Sequence, residues 1–186
     1  FDNVDHGKLL KQLWTLGIRD KQLLCVLSKM LKAPIQGEGV PTKGVPQGGI
    51  LSPLLSNVVL NELDWWIASQ WEEFPQLQRY RSRPHYKGNG TLKQVYLVRY
   101  ADDFKLFCKC RGDAEKIFAA TTMWLKERLG LDISPGKSKI VNLKKGYSDF
   151  LGFKLKLRPK SGKWVLKSHM ADKAQKKCRE NIRTAI

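Results

Sequence analysis

Two aspartates, Asp102 and Asp103, stand side by side between two β-prone runs, residues 95–100 and 104–108, which are rich in Val, Tyr, Phe and Leu. Along a regular strand neighbouring side chains point to opposite faces, so adjacent acids serve one site only where a turn re-aims them. The pattern therefore predicts a β-hairpin with Ala101-Asp102-Asp103 at its tip. Two carboxylates crowded there repel each other unless cations bind. Mg²⁺, with Mn²⁺ as its substitute, suits a site made of a few carboxylates, water and substrate phosphates. The chemistry this implies is phosphoryl transfer assisted by two ions ~3.5–4 Å apart, with Asp102 the first choice of metal ligand and Asp103 the second.

The flanking sequence supplies helices to back such a hairpin. Asp5 is placed to cap a helix with Leu9, Leu13 and Leu16 on one side and Gly17 at its end; Asp20 is placed to cap a second, carrying Leu23, Leu24, Leu27, Met30 and Leu31 and closed by Pro34. A glycine-rich loop with two prolines fills residues 35–49, as expected where backbone approaches a partner closely. A third helix is expected from a Ser52 cap with Pro53 in its first turn, and a fourth from an Asp113 cap to Gly130, burying Ile117, Phe118, Thr121, Trp124, Leu125 and Leu129. Strands are expected at 131–133, 139–143 and 150–157, with a last hairpin at Ser161-Gly162 and a basic helix from about Ala171 to Ile186. Residues 71–90, with Arg79, Arg81, Arg83 and Lys87, show no period and read as a basic insertion or loop.

Charge narrows the partners. Lys and Arg number 34 against 17 Asp and Glu, a net charge of +17, which attracts polyanions and makes their binding dependent on salt. The basic residues are interleaved with six Trp, five Tyr and seven Phe, the composition of a folded nucleic-acid groove more than of a basic tail. No apolar run approaches the ~20 residues of a membrane-spanning helix. The four cysteines form no Cys-x-x-Cys pair and only three histidines accompany them, so a structural zinc is not expected and reduced thiols are the simplest account.

The motif Val98-Arg99-Tyr100-Ala101-Asp102-Asp103-Phe104 resembles the central catalytic motif of reverse transcriptases, in the Tyr-Ala-Asp-Asp form common among group II intron proteins. Residues 44–57, from Gly44-Val45-Pro46-Gln47-Gly48-Gly49 to Ser56-Asn57, look like the nucleotide-pocket motif of that family. Residues 131–138, ending Pro135-Gly136-Lys137-Ser138, are similar to its lysine motif, and Phe150-Leu151-Gly152-Phe153 to its primer grip. The four motifs stand in family order. The resemblance implies Asp102, Asp103 and Lys137 as catalytic residues, with Lys139 a rival for Lys137. It implies Phe1, Pro46, Gln47, Gly48, Gly49, Asn57, Tyr100 and Ala101 around the nucleotide, and Leu151, Gly152 and Phe153 as primer grip. Physically, Gly48 and Gly49 admit close backbone approach, the Gln47 amide offers hydrogen bonds near sugar or base, and the lysine offers a mobile positive charge for the triphosphate or the leaving group.

The fold implied is α/β in the α+β sense: a palm with an antiparallel sheet backed by helices over residues 1–157, and a connection to a partial thumb over 158–186. The function implied is that of an RNA-directed DNA polymerase of a mobile group II intron, with intron RNA, DNA primer and dNTPs as partners, no membrane, and a maturase role in splicing. Location in a bacterial cytoplasm or an organelle is implied with it. A retron-type enzyme and an RNA-binding maturase fragment without polymerase activity are the alternatives. Phe1 matches the aromatic that gates the ribose 2′-hydroxyl, and the family's first metal-binding Asp lies five residues before that aromatic. The resemblance therefore puts that Asp, and the fingers, upstream of Phe1, and the 186 residues alone are expected to have little or no polymerase activity.

Overall fold

A computed structural model describes residues 2–35, 37, 39–46, 48–72 and 95–185. Phe1, Gln47 and the basic stretch containing Arg79, Arg81, Arg83 and Lys87 lie outside the described residues. The chain forms an α+β fold divided into two compact units, residues 1–135 and 136–186.

In the first unit, α1 (His6–Thr15) and α2 (Lys21–Leu31) begin as their sequence predicts. Asp5 Oδ1 accepts from the Lys8 N–H at 2.7 Å, and Asp20 Oδ1 accepts from Gln22 and Leu23 at 2.8 and 3.2 Å. These caps satisfy amides that have no partner inside the helix. The apolar stripes are narrower than expected: Leu9, Leu13, Leu27 and Leu31 are buried, whereas Leu16 and Leu23 are about half exposed.

Helix α3 (Ser52–Ile67), extended by a wider π-turn over Ala68–Glu72, buries Leu55, Val59, Leu60, Leu63 and Ile67, one helical face. Ser52 is its first helical residue and not its cap. The hydroxyl turns back and donates to the Pro46 carbonyl, because the glycine loop and not a free helix end lies within its reach. Within that loop, the Gly44 N–H donates to Val4 O at 2.7 Å and His6 Nε2–H donates to Gly44 O at 2.7 Å. Gly44 has φ +96°, and a Cβ there would sit 3.0 Å from Asp2 O. Gly44→Ala is therefore expected to lower stability by about 1–3 kcal/mol, the cost of a non-glycine residue held in a sparsely populated conformation; urea unfolding checks it, with an unchanged midpoint as the contrary result.

The hairpin is formed by β1 (Val95–Tyr100) and β2 (Asp103–Cys108), paired antiparallel with Tyr100 opposite Asp103. Val95, Leu97 and Arg99 face inward, opposite Cys108, Leu106 and Phe104. Helix α4 (Arg111–Trp124) starts two residues before the expected Asp113 cap; Cys110 holds the cap position without a side-chain hydrogen bond, and Asp113 lies in the first turn. A carboxylate is favourable there too, beside the positive end of the helix dipole. The helix continues as a π-turn, Leu125–Leu129, and stops at Gly130 with φ +70°. Trp66 of α3 stacks on Trp124 of α4 at 4.9 Å and meets Trp71 edge-on at 5.0 Å, which pins the ends of the two helices together.

A polar cluster ties α1, α3 and the end of the α4 π-turn. Glu62 accepts from Gln12 and from Arg128, each at 2.9 Å, and Lys8 Nζ donates to Arg128 O at 2.9 Å. Partial burial pushes the Glu62 carboxyl up, but the Gln12 and Arg128 hydrogen bonds and the charges of Arg128 and Lys8 outweigh it and hold the group below the ordinary glutamate value. A lowered carboxyl contributes stability above its unfolded pKa and loses it as pH falls through the folded value. Glu62→Gln should thus cost up to about 1 kcal/mol at neutral pH, and the gap to wild type should close below about pH 4. Denaturation midpoints across pH check this; a gap that persists in acid would contradict it.

The second unit contains β3 (Ser148–Phe150), β4 (Phe153–Lys160), β5 (Lys163–Met170) and α5 (Asp172–Ala185), with the three strands in sequential antiparallel order. The expected hairpin at Ser161-Gly162 forms, with φ of +49° and +74°. The expected strand 150–157 is broken by a turn at Leu151-Gly152, where φ is +49° and +79°. No strand forms at 131–133 or 139–143. Leu131 and Ile133 are half buried against the first unit's core just before Pro135. After them the Asn142 side chain accepts from the Lys144 N–H at 3.0 Å and its carbonyl accepts from Gly146 at 2.8 Å, turning the chain where a strand would run on. Among the described residues only Leu143 O pairs outward, with the Leu157 N–H at 2.9 Å.

Candidate active site

The tip of the first hairpin is a two-residue turn, Ala101-Asp102. Ala101 has φ +52° and Asp102 does not share the positive sign, the pattern of a type II′ turn, whose twist matches that of the flanking strands. Asp103 is thereby the first residue of β2. Its side chain lies on the outward face with Tyr96, Val98, Tyr100, Lys105 and Phe107, while Asp102 sits in the turn. Both acids are exposed. Among the described residues neither carboxylate has a hydrogen-bond or ion-pair partner.

Arg99 holds this turn in place. An arginine at an inward strand position must find partners, since an unpaired buried charge is very costly. Its Nε donates to Asp64 Oδ1 at 2.7 Å, its Nη2 pairs with Asp64 Oδ2, and its Nη1 donates to Asn57 Oδ1 at 2.7 Å and to the Ala101 carbonyl at 2.8 Å. The Arg99 side chain is 11% exposed and that of Asp64 34%. One guanidinium therefore joins two turns of α3 to the carbonyl immediately before Asp102. The sequence motifs assign no role to Arg99 or Asp64, although among the inward positions Val95, Leu97 and Arg99 only the last is charged.

Asn57, exposed on α3, is thus brought to the turn through Arg99. Pro46, Gly48 and Gly49 are exposed in the loop that Ser52 ties to the start of the same helix. Gly48 has φ +82°, and a Cβ on Gly49 would lie 2.8 Å from Ser52 Oγ, so both positions favour glycine for local reasons besides any ligand. Ile50 beside them is 97% exposed. Lys137 and the Leu151-Gly152-Phe153 turn belong to the second unit. Lys137 is an exposed turn residue, and Leu151 and Phe153 are about half exposed. The Ala171 N–H donates to Gly152 O at 2.7 Å, so the start of α5 supports that turn.

Two unpaired, exposed carboxylates fit a hard divalent cation that completes its coordination with water and phosphate oxygens. Among the described residues no group of three or more His, Cys, Asp or Glu side chains gathers to hold a metal. Residues 1–155 match the family model described as reverse transcriptase (RNA-dependent DNA polymerase).

The chain belongs to the reverse transcriptase family. Its similarity to individual family proteins points to the intron-encoded branch. It is 30% identical over 197 residues to the putative COX1/OXI3 intron 2 protein of Saccharomyces cerevisiae, covering 86% of this chain and 23% of that protein. Protein YkfC of Escherichia coli is 33% identical over 169 residues, covering 83% of this chain and 44% of that protein. The group II intron-encoded protein LtrA of Lactococcus lactis is 27% identical over 202 residues, covering 85% and 33%. The chain thus spans less than half the length of each of these relatives. No helix among the described residues is long and apolar enough to cross a membrane.

Proposed function

We propose that this chain supplies the palm of a group II intron RNA-directed DNA polymerase, and that Asp102 and Asp103 are ligands of its catalytic divalent ions, Mg²⁺ by preference with Mn²⁺ as substitute. The observation that carries the reading is the pair of unpaired carboxylates on a turn clamped from behind by Arg99, inside a reverse transcriptase domain. When bound, such ions activate the primer 3′-hydroxyl and offset charge on the triphosphate. The chain's own contribution is position. Arg99 fixes the turn, Tyr100 and Ala101 flank the acids, and Pro46, Gln47, Gly48, Gly49 and Asn57 line the nucleotide side, with Phe1 as sugar gate. Lys137 serves the triphosphate, and Leu151, Gly152 and Phe153 hold the primer end. In this reading residues 1–157 are palm and 158–186 lead into a thumb. The site of action is a bacterial cytoplasm or an organelle.

A maturase role, binding intron RNA for splicing, is the second part of the proposal. It is favoured by the charge of the second unit, where 15 Lys and Arg face three Asp and Glu. Binding of that kind needs no metal ligand. The two roles separate in Asp102→Ala, assayed both for primer extension on an RNA template by a protein containing this chain and for intron RNA affinity. Extension should be lost and affinity retained. Parallel loss of both, or loss of neither, would contradict the assignment.

A further inference from the structure

The second unit holds 51 residues and a net +12 of the chain's +17, and the Lys and Arg of its β4–β5 hairpin lie on one side of the sheet. In the β4–β5 register Lys154 stands opposite His169, Lys156 opposite Lys167, Arg158 opposite Val165 and Lys160 opposite Lys163. Side chains alternate along a strand, so these residues share a face. Phe153, Leu155, Leu157, Trp164, Leu166 and Met170 take the other.

Among the described residues, carboxylates reach the basic face only at one end. Asp149 of β3 lies opposite Lys154, and Asp172 at the start of α5 pairs with Lys154 Nζ. Farther along, Tyr147 receives a hydrogen bond from Arg158 Nη2 at 3.1 Å and lies under Lys156 Nζ, 4.7 Å from its ring centre. Among the described residues Lys156, Arg158, Lys160, Lys163 and Lys167 have no carboxylate partner. Two of the cross-strand pairs set lysine directly opposite lysine, an arrangement that is unfavourable until an anion intervenes. The cations of β4 recur about every 6.7 Å, over a row of roughly 20 Å.

This array suits a polyanionic backbone, and its chemistry narrows the form. A single strand would be held by stacking on aromatic rings, yet the exposed aromatics of these strands, Phe153 and Trp164, lie on the opposite face, and Tyr147, although 43% exposed, already has Lys156 Nζ over its ring. Cationic donors without amide or carboxylate acceptors contact phosphates without reading bases. We propose that the basic face of β4–β5 docks the phosphate backbone of double-helical RNA. This deepens the RNA-binding reading above and rests on it, but uses none of the residues assigned to polymerisation.

The test compares Arg158→Gln/Lys163→Gln/Lys167→Gln with an equal charge change on α1 and α2, Lys11→Gln/Lys21→Gln/Lys29→Gln. Circular dichroism confirms folding, and fluorescence anisotropy measures affinity for a 20-base-pair RNA duplex between 50 and 200 mM KCl (about the range where phosphate contacts dominate). The sheet variant should bind about 10- to 100-fold more weakly near 100 mM salt and lose roughly 2–3 from its log–log salt slope, while the helix variant stays within about threefold of wild type. Equal losses in the two variants would overturn the face and leave RNA binding standing. A wild-type chain that binds no RNA would overturn RNA binding itself. Equal affinity for duplex DNA, or tighter binding of single-stranded RNA, would overturn the choice of duplex RNA. Asp102→Ala should leave duplex affinity unchanged, so failure of the metal site and failure of this face give different results.

Discussion

Asp102→Asn should lower the rate of nucleotide addition by at least about 10³-fold in a polymerase containing this chain, with folding unchanged. The substitution is nearly isosteric, and the Asp102 side chain is exposed without a partner among the described residues, so removing its charge disturbs no contact within the fold. What it removes is half of the negative charge at the turn. Positioning and neutralisation by divalent ions are worth several kcal/mol in phosphoryl transfer, and each 1.36 kcal/mol is a factor of ten in rate. Asp103→Asn should act in the same direction, since Asp103 lies on the outward face at the same tip. Single-turnover extension measures the chemical step, and thermal unfolding checks that the variants are folded. A loss below tenfold with intact folding would remove Asp102 from the metal site.

Arg99→Met should combine a stability loss with a catalytic one, and the two can be pulled apart. Removing the guanidinium leaves the Asp64 carboxylate without its fork and the Ala101 carbonyl without that donor. Breaking a fully buried ion pair costs about 3–5 kcal/mol; with Asp64 one-third exposed, water recovers part of that, and about 2–3 kcal/mol is expected. Arg99→Lys should rescue little, because an ammonium cannot present a planar fork to Asp64 while reaching two further acceptors. The double variant Arg99→Met/Asp64→Leu removes both charges and should regain most of the stability. It should not regain activity, because the turn still lacks its tie to α3. Arg99 is in this sense a positioning residue. A double variant that recovers kcat along with its unfolding midpoint would reduce Arg99 to a purely structural role.

Those two residues also mark how far the sequence is legible. The hairpin at residues 101–103, the Asp5 and Asp20 caps and the Ser161-Gly162 turn depend on a few adjacent residues, and each forms where local chemistry predicts. Ser52 and Asp113 are good capping residues whose surroundings decided otherwise: Pro46 O lies within reach of the first, and the helix of the second begins at Arg111. The runs at 131–133 and 139–143 are apolar enough for strands, but Pro135 and the Asn142 turn interrupt them, and among the described residues a single ladder-like bond, Leu157 N–H to Leu143 O, joins them to a strand. The Arg99 clamp spans 35 and 42 positions to Asp64 and Asn57, a separation that no local pattern encodes. The acids and their family were therefore readable; the device that aims them required the fold.

In the proposed function, divalent ions bind at the Ala101-Asp102 turn. Titration of Mn²⁺ into the ¹⁵N-labelled chain tests this directly through paramagnetic broadening of backbone amides. The amides of Ala101, Asp102 and Asp103 should broaden first, and Asp102→Asn/Asp103→Asn should abolish that effect. Broadening that persists in the double variant, or that begins at another acid such as Asp149 or Asp172, would contradict it.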